Sequence, residues 1–202
     1  MIIKPIETHY KNYRFRSRLE ARWAVFFDNI GHIWEYEVEG YTLSDGRKYL
    51  PDFVITSIDG VKFYYEVKPR FFYGDGKLEQ LIKDMQKDKD LCVYGRVLSG
   101  DPYDFIVTNN NYPCPRCLQF SLENNICPIS EEYVYCEPCD FNTPCGGDNP
   151  NEEHFGIVTN PHKGDTILIL DSDYKNQQKY WNLLKSACLA ARSARFEFNE
   201  RK

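Results

Sequence analysis

Two short apolar runs on either side of a turn constrain the fold of this chain more than any other feature. Residues 49–55 and 61–67 alternate β-branched or aromatic residues with polar ones, and the turn from Ser57 to Gly60 separates them. This alternation is typical of β-strands. We therefore predict two neighbouring strands that are apolar enough to lie centrally in a sheet.

Polar residues of these two strands form a candidate active site. Side chains alternate faces along a strand, so Glu66 and Lys68 point the same way, and Asp52 can join them. Two carboxylates on one face favour a balancing divalent cation. We predict that Asp52, Glu66 and the carbonyl oxygen of Val67 bind Mg²⁺ or Mn²⁺, which prefer oxygen ligands. Lys68 would then serve the attacking water or a phosphate.

Glu20 is a fourth candidate ligand, on a predicted amphipathic helix. The segment from Ser17 to Ile30 repeats apolar residues at three- and four-residue steps, whereas residues 1–13 show no regular pattern. Ser17 and Glu20 also have the spacing of a capping box, in which the glutamate caps the helix start. Glu20 is therefore predicted either to assist the metal or to cap the helix.

The rest of the pattern predicts an α/β fold in which helices flank a mixed β-sheet. The further predicted elements are strand 32–38, helix 77–89, strand 91–98, strand 166–170 and helix 173–195. A Cys-, Pro- and Asn-rich stretch interrupts them. The predicted organisation is a core of residues 1–108 and 156–202 with an insertion at 109–155.

The insertion contains a zinc-binding pattern. Its cysteines are spaced C-x₂-C-x₁₈-C-x₂-C, at Cys114, Cys117, Cys136 and Cys139. This spacing predicts a zinc ribbon whose closed Cys₄ shell binds a structural Zn²⁺. Cys127 and Cys145 are left over, and either could replace one of the predicted ligands. Cys92 and Cys188 are predicted to be small core residues.

Charge is distributed unevenly along the chain. The whole chain carries −5 and residues 118–162 carry −8 with no Lys or Arg, which leaves +3 for the rest. Local positive charge favours phosphate binding, so we predict a nucleic-acid partner. The contact residues predicted from the first basic cluster are Arg16, Arg18 and Arg22. The acidic insertion would repel phosphate, and it is predicted to shape the edge of the active site or to contact a protein partner.

The cellular compartment is predicted from the N-terminus and the cysteines. The chain of 202 residues begins without a long apolar segment or a small-residue cleavage site. No apolar run reaches the length needed to span a bilayer. We therefore expect a cytoplasmic protein without membrane contact, and cysteines that bind metal instead of forming disulfides.

Several segments together resemble a group of phage and prophage proteins that are predicted nucleases of the PD-(D/E)XK superfamily. The matching segments are Phe15–Asp28, Trp34–Glu37, Tyr49–Phe53, Tyr65–Pro69 and Ala190–Glu197. The likeness covers roughly residues 14–98 and 166–198. The chain is also similar to the DNA-cleaving subunits of some transposons, which share the helix acid, the Pro-Asp and the Glu-x-Lys.

The resemblance implies a restriction-endonuclease-like fold and a Mg²⁺-dependent DNA endonuclease in a bacterial host cell. It implies Asp52, Glu66 and Lys68 as the catalytic core, assisted by Glu20. It also implies that Lys83 and Lys87, on the helix after Lys68, contact the nucleic acid. The resemblance leaves the oligomeric state open and includes a homodimer among the options, because many related nucleases dimerise to cut two strands. Two alternatives stay open: a catalytically silent binding protein that contacts a partner through the acidic zinc module, and a ribonuclease or structure-specific nuclease.

Overall fold

A four-stranded mixed sheet organises the chain in the computed structural model. The structure describes residues 5–56, 62–70, 74–87, 93–109, 113, 155–159, 166–170 and 174–196. Its strands are β1 (Thr8–Tyr10), β2 (Tyr13–Phe15), β3 (Trp34–Tyr36), β4 (Tyr41–Thr42), β5 (Lys48–Tyr49), β6 (Phe53–Thr56), β7 (Lys62–Lys68), β8 (Val93–Ser99), β9 (Phe155–Thr159) and β10 (Thr166–Leu170). Its helices are α1 (Arg18–Asn29), α2 (Lys77–Met85) and α3 (Tyr174–Ser193), and Tyr103–Thr108 is a π-helical segment. The predicted α/β class with a mixed sheet and helices is confirmed for these residues.

The order of strands in the sheet is β3–β6–β7–β8. β6 runs antiparallel to β3 and β7, whereas β7 and β8 are parallel. α2 lies between β7 and β8 in the chain, as a parallel pair requires a crossover connection. Phe53 of β6 pairs with Tyr65 of β7. One step further along this register, Asp52 and Glu66 come side by side.

Alternate residues of β7 enter hydrophobic clusters on opposite faces of the sheet. Phe63 and Tyr65 pack in the cluster that contains α1 and α3, and Tyr64 packs in the cluster that contains α2. Gly95 of β8 permits the close approach of α2, because a Cβ atom there would lie 3.0 Å from carbons of Ile82. Helical residues therefore cover both faces, and the polar side chains of β7 lie on the α2 side.

The predicted helix from Ser17 to Ile30 is confirmed, with these two residues as its caps. The Oγ atom of Ser17 accepts a hydrogen bond from the backbone amide of Glu20 at 3.2 Å, which satisfies one of the free amides at the helix start. Trp23 is buried, and its indole Nε1 donates to the Gly100 carbonyl oxygen at 2.9 Å. This bond ties α1 to the end of β8.

The last turns of α3 attach to the core through apolar and charged contacts. Its buried residues are Leu184, Ala187, Cys188 and Ala191, so the prediction that Cys188 is a core residue is confirmed. Arg192 forms ion pairs of 2.8 Å with both Asp101 and Asp104. Its guanidinium also lies 4.2 Å from the centre of the Tyr103 ring. One arginine therefore joins α3 to the π-helical segment.

The N-terminal residues are more regular than the sequence indicates. Residues 1–13 were expected to lack structure, but β1 and β2 form an antiparallel hairpin in which Tyr10 pairs with Tyr13. Lys11 turns the chain with a φ of 51°. Both tyrosines pack against the main core. This distant packing stabilises the hairpin, and a local pattern does not reveal it.

The predicted strand 49–55 is wrong as a single element. Tyr49 ends β5, which pairs with β4, and Phe53 begins β6 in the central sheet. Pro51 lies between them and has no amide to donate to a neighbouring strand. The break leaves Asp52 at the start of β6, outside the regular ladder, where its side chain can turn toward β7.

Two other elements are shorter than predicted. The strand expected over 32–38 spans only Trp34–Tyr36, because Glu37 has a φ of 48° that no regular strand adopts. The helix expected over 77–89 ends at Met85, with Gln86 as its C-cap. The predicted zinc ligands Cys114, Cys117, Cys136 and Cys139 lie outside the described residues, as do Cys92, Cys127 and Cys145.

In the part of the chain that the structure describes, no helix combines the length and the apolarity needed to cross a membrane. The longest, α3, has 20 residues and includes several lysines and an arginine.

Replacing Arg192 by Met should lower the free energy of unfolding by about 1 kcal/mol, the scale of a well-formed but partly exposed ion pair. The variant loses both carboxylate contacts while keeping much of the apolar stem. Thermal or urea unfolding of the variant measures the loss. Arg195→Met is the matched control, because Arg195 is exposed just beyond α3. Equal stability of both variants would contradict the assigned role of Arg192.

Candidate active site

The hairpin of β6 and β7 brings together Asp52, Glu66 and Lys68. Asp52 Oδ2 accepts a hydrogen bond of 2.7 Å from the backbone amide of Val67. Lys68 Nζ forms an ion pair with Glu66 Oε1. The other oxygen of Glu66 accepts a hydrogen bond from the Tyr49 hydroxyl. The three residues predicted as the catalytic core therefore share one end of the sheet.

Both carboxyl groups are taken out of water, which sets the electrostatics of the site. Asp52 is 2% exposed and Glu66 is 8% exposed. Burial, followed by the charge of Glu66, raises the pKa of Asp52 to about 7, against the hydrogen bond from Val67 and the charge of Arg16, which lower it. Burial and the neighbouring Glu66 likewise raise the pKa of Tyr49. Tyr49 consequently stays a proton donor to Glu66.

Glu20 lies next to this pair, but the polypeptide itself uses its carboxylate. Its Oε1 accepts from the Ser17 hydroxyl at 2.7 Å, and its Oε2 accepts from the Arg16 amide at 3.0 Å and from the Tyr36 hydroxyl. Glu20 caps the helix start as predicted, but its carboxylate accepts from the backbone amide of Arg16 and not from that of Ser17. The charge of Glu20 also contributes to the raised pKa of Asp52, so the two groups are electrostatic neighbours.

Arg16 is bound to the carboxylates of the site. Its guanidinium forms an ion pair with Asp52 and a second one with Glu37, where Nε lies 2.7 Å from Oε1. The Glu37 amide donates to the Asp52 carbonyl oxygen at 3.0 Å. Arg16 was predicted from the sequence as a nucleic-acid contact, and the structure places it at Asp52.

The other predicted nucleic-acid contacts belong to α1 and to the C-terminal end of α2. Arg22 is half-buried, and its charge contributes to the lowered pKa of Asp101 near the end of β8. Arg18 is half-buried in the first turn of α1. Lys83 is exposed, and Lys87 forms an ion pair of 2.7 Å with Asp84. Lys83 lies about 9 Å along the helix axis from the start of α2, and Lys87 follows the C-cap residue Gln86.

Tyr36, Glu37 and Tyr49 are site residues that sequence reasoning missed. Tyr36 and Tyr49 donate to the buried carboxylates, and Glu37 binds Arg16. The antiparallel pairing of β3 with β6 is the signal that could have found Glu37, because it places the residue after β3 beside the residue before β6. The bond from Tyr49 joins residues 17 positions apart on different strands, and no local pattern reports it.

The donor set is compatible with a hard divalent cation. Asp52 and Glu66 supply buried carboxylate oxygens, and the charge of Glu66 contributes to the raised pKa of Asp52. Within the described residues, however, no three or more His, Cys, Asp or Glu side chains are arranged as a ready metal-ligand group. The oxygens of Asp52 and Glu66 instead contact Arg16, Lys68, Tyr49 and the Val67 amide.

Comparison of the chain with protein-family models, with curated proteins and with solved structures finds no match in any of the three. The functional argument therefore depends on the residues of the site.

Replacing Asp52 by Asn should flatten the pH dependence of stability in EDTA. The pKa of Asp52 is about 7 in the folded protein and 3.8 ordinarily. The folded chain therefore holds a proton that the unfolded chain releases, so stability is fully present below the ordinary value and is lost as pH rises through about 7. Between pH 5 and 7 the wild type should lose on the order of 2 kcal/mol relative to the variant, at about 1.4 kcal/mol per pH unit.

Thermal unfolding of both proteins from pH 5 to pH 8 measures this difference. Asp45→Asn is the control, because hydrogen bonds from Arg47 lower the pKa of Asp45 and its titration lies below this range. A constant offset between the wild type and Asp52→Asn across the range would show that Asp52 does not titrate as argued.

Proposed function

We propose that this protein is a metal-dependent nuclease that hydrolyses phosphodiester bonds in DNA, with Mg²⁺ or Mn²⁺ as its cofactor. One observation carries the proposal: two buried carboxylates, those of Asp52 and Glu66, share one end of a sheet with a lysine that contacts one of them. Buried acids without a binding task are costly, and acids paired with a lysine suit metal-assisted hydrolysis. The resemblance of the same residues to PD-(D/E)XK nucleases supports this function.

Each residue has a distinct task in the proposed reaction. Asp52 and Glu66 would hold the metal, with the Val67 carbonyl oxygen as a further ligand, and the metal would polarise the phosphate and lower the pKa of a bound water. Lys68 would orient the attacking water or stabilise the negative charge on the phosphate oxygens. Tyr49 keeps Glu66 in place by donating to the oxygen that Lys68 does not contact. Glu20 assists by holding the backbone at Arg16.

The proposed nuclease includes a structural zinc ribbon. Cys114, Cys117, Cys136 and Cys139 would bind one Zn²⁺ in a closed shell, and the acidic insertion around them would contact a protein partner or border the substrate. The restriction-endonuclease-like arrangement of the core and its interruption by residues 109–155 belong to the same proposal.

A silent binding protein is the second candidate, and one observation favours it. Arg16 and Lys68 already neutralise the two buried carboxylates, so the site is stable as a set of ion pairs without any chemistry. Divalent-cation binding separates the two candidates, because a scaffold of internal ion pairs would hold zinc alone.

Asp52→Asn and Lys68→Ala should each lower cleavage at least about 100-fold, since removing one transition-state contact costs this much in comparable sites. The assay uses Mn²⁺ or Mg²⁺ with supercoiled DNA, linear duplex, single-stranded DNA and RNA, which also identifies the substrate. Lys62→Ala is the matched control, because Lys62 is an exposed lysine at the other end of β7. Wild-type cleavage by either site variant, with folding verified by its unfolding transition, would refute the proposed mechanism.

Purified protein should contain one equivalent of zinc, measured by elemental analysis after extensive dialysis. Cys114→Ser and Cys136→Ser should each lose it, because a closed tetrahedral site needs all four thiolates. Cys188→Ala should retain the zinc, since Cys188 is buried in the main core on α3. Full zinc content in both serine variants would assign the metal to other ligands.

A further inference from the structure

Every oxygen of the two buried carboxylates has a partner, and the partners fall into two kinds. Asp52 Oδ2 and Glu66 Oε2 accept from groups of the scaffold, the Val67 amide and the Tyr49 hydroxyl. Asp52 Oδ1 and Glu66 Oε1 contact cations, Arg16 and Lys68. The first pair of contacts fixes the carboxylates in place. The second pair supplies positive charge, which is also what a divalent cation would supply.

Arg16 differs from Lys68 in how it is held. The Arg16 side chain is 57% exposed although its partner Asp52 is 2% exposed, so the guanidinium approaches the buried acid from the solvent side. Lys68 is 25% exposed and contacts a neighbour on its own strand. Arg16 can therefore leave Asp52 without any movement of the sheet. Its backbone stays in place, because the Arg16 amide donates to Glu20.

Glu37 provides a second binding partner for the guanidinium. Arg16 Nε lies 2.7 Å from Glu37 Oε1, while the Glu37 amide is bonded to the Asp52 carbonyl oxygen at 3.0 Å. Glu37 holds this position with a φ of 48°. This left-handed conformation is energetically unfavourable for any residue other than glycine. The strained backbone thus holds a carboxylate where it can retain Arg16 after the contact with Asp52 is lost.

The charges of these groups leave room for a divalent cation. Glu20, Glu37, Asp52 and Glu66 are four acids, and Arg16 and Lys68 are two bases, which leaves two formal negative charges. A divalent cation at Asp52 would compensate them, but it would also repel a guanidinium on the same oxygen. The two cations therefore compete for the Asp52 carboxylate.

From this arrangement we infer that Arg16 is an exchangeable counter-cation of Asp52. In the metal-free chain Arg16 neutralises Asp52. When a divalent cation binds, Arg16 gives up Asp52 and stays beside the site on Glu37, with its guanidinium open to a phosphate oxygen of the nucleic acid. The inference rests on the proposed function, because it requires a divalent-cation site at Asp52. It makes Arg16 a positioning residue that couples metal binding to substrate binding.

The test is a calorimetric titration with Mn²⁺ at about pH 8, above the pKa of about 7 of Asp52 in the wild type. Arg16→Met removes the competing cation and keeps an apolar stem, so it should bind Mn²⁺ about fivefold to tenfold more tightly than the wild type. Arg14→Met is the matched control: Arg14 lies on the adjacent strand, is exposed and pairs with Glu7. It should bind Mn²⁺ as the wild type does.

Thermal unfolding with and without Mn²⁺ gives a second readout that remains informative if Arg16→Met is unstable. Without metal the variant leaves Asp52 uncompensated, so Mn²⁺ should raise its unfolding midpoint by more than it raises that of the wild type. If the wild type binds Mn²⁺ and Arg16→Met binds it equally well or more weakly, the exchange is overturned and the nuclease proposal stays intact. The absence of binding in both proteins would overturn both proposals together.

Discussion

The burial of the Asp52 carboxylate is the constraint on which the rest of the site depends. Asp52 follows Pro51, which ends the pairing of the preceding strand, and its side chain turns back to the amide of Val67 on β7. A carboxylate placed there needs positive charge, because burial and Glu66 both oppose its ionisation. Arg16 supplies that charge. The conformation of the chain before α1 is thus linked to an acid on the central sheet.

The same constraint explains why so many polar groups converge on one end of the sheet. Two buried acids close together destabilise a fold unless each oxygen finds a donor. Tyr36 and Tyr49 act as neutral donors whose protons stay in place, since burial raises the pKa of both hydroxyls. Neutral donors fix an acid without cancelling its charge, whereas Arg16 and Lys68 cancel it. A site that must release one partner and keep another needs both kinds.

The sequence predicts the parts of this arrangement that depend on local periodicity. Alternation predicts the strand with Glu66 and Lys68 and their grouping with Asp52. Helical spacing predicts the helix that Ser17 caps. The placement of Arg16 does not follow, because its contact with Asp52 spans 36 positions of the chain. Charge patterns in a sequence identify a surplus of arginine, but only tertiary contacts decide whether it faces solvent or an acid.

Glu20 was predicted either to cap the helix or to assist a metal, and its contacts favour the capping role. Its carboxylate accepts from the Arg16 amide and from the hydroxyls of Ser17 and Tyr36, and all three donors belong to the scaffold. Asp52 accepts from one scaffold amide and from the half-exposed guanidinium at the end of one long side chain. Losing the contacts of Glu20 would disturb the start of α1, whereas the exchange proposed for Asp52 involves only the end of the Arg16 side chain. Glu20 therefore positions the backbone of Arg16, and Asp52 is the carboxylate to which the proposed metal chemistry is assigned.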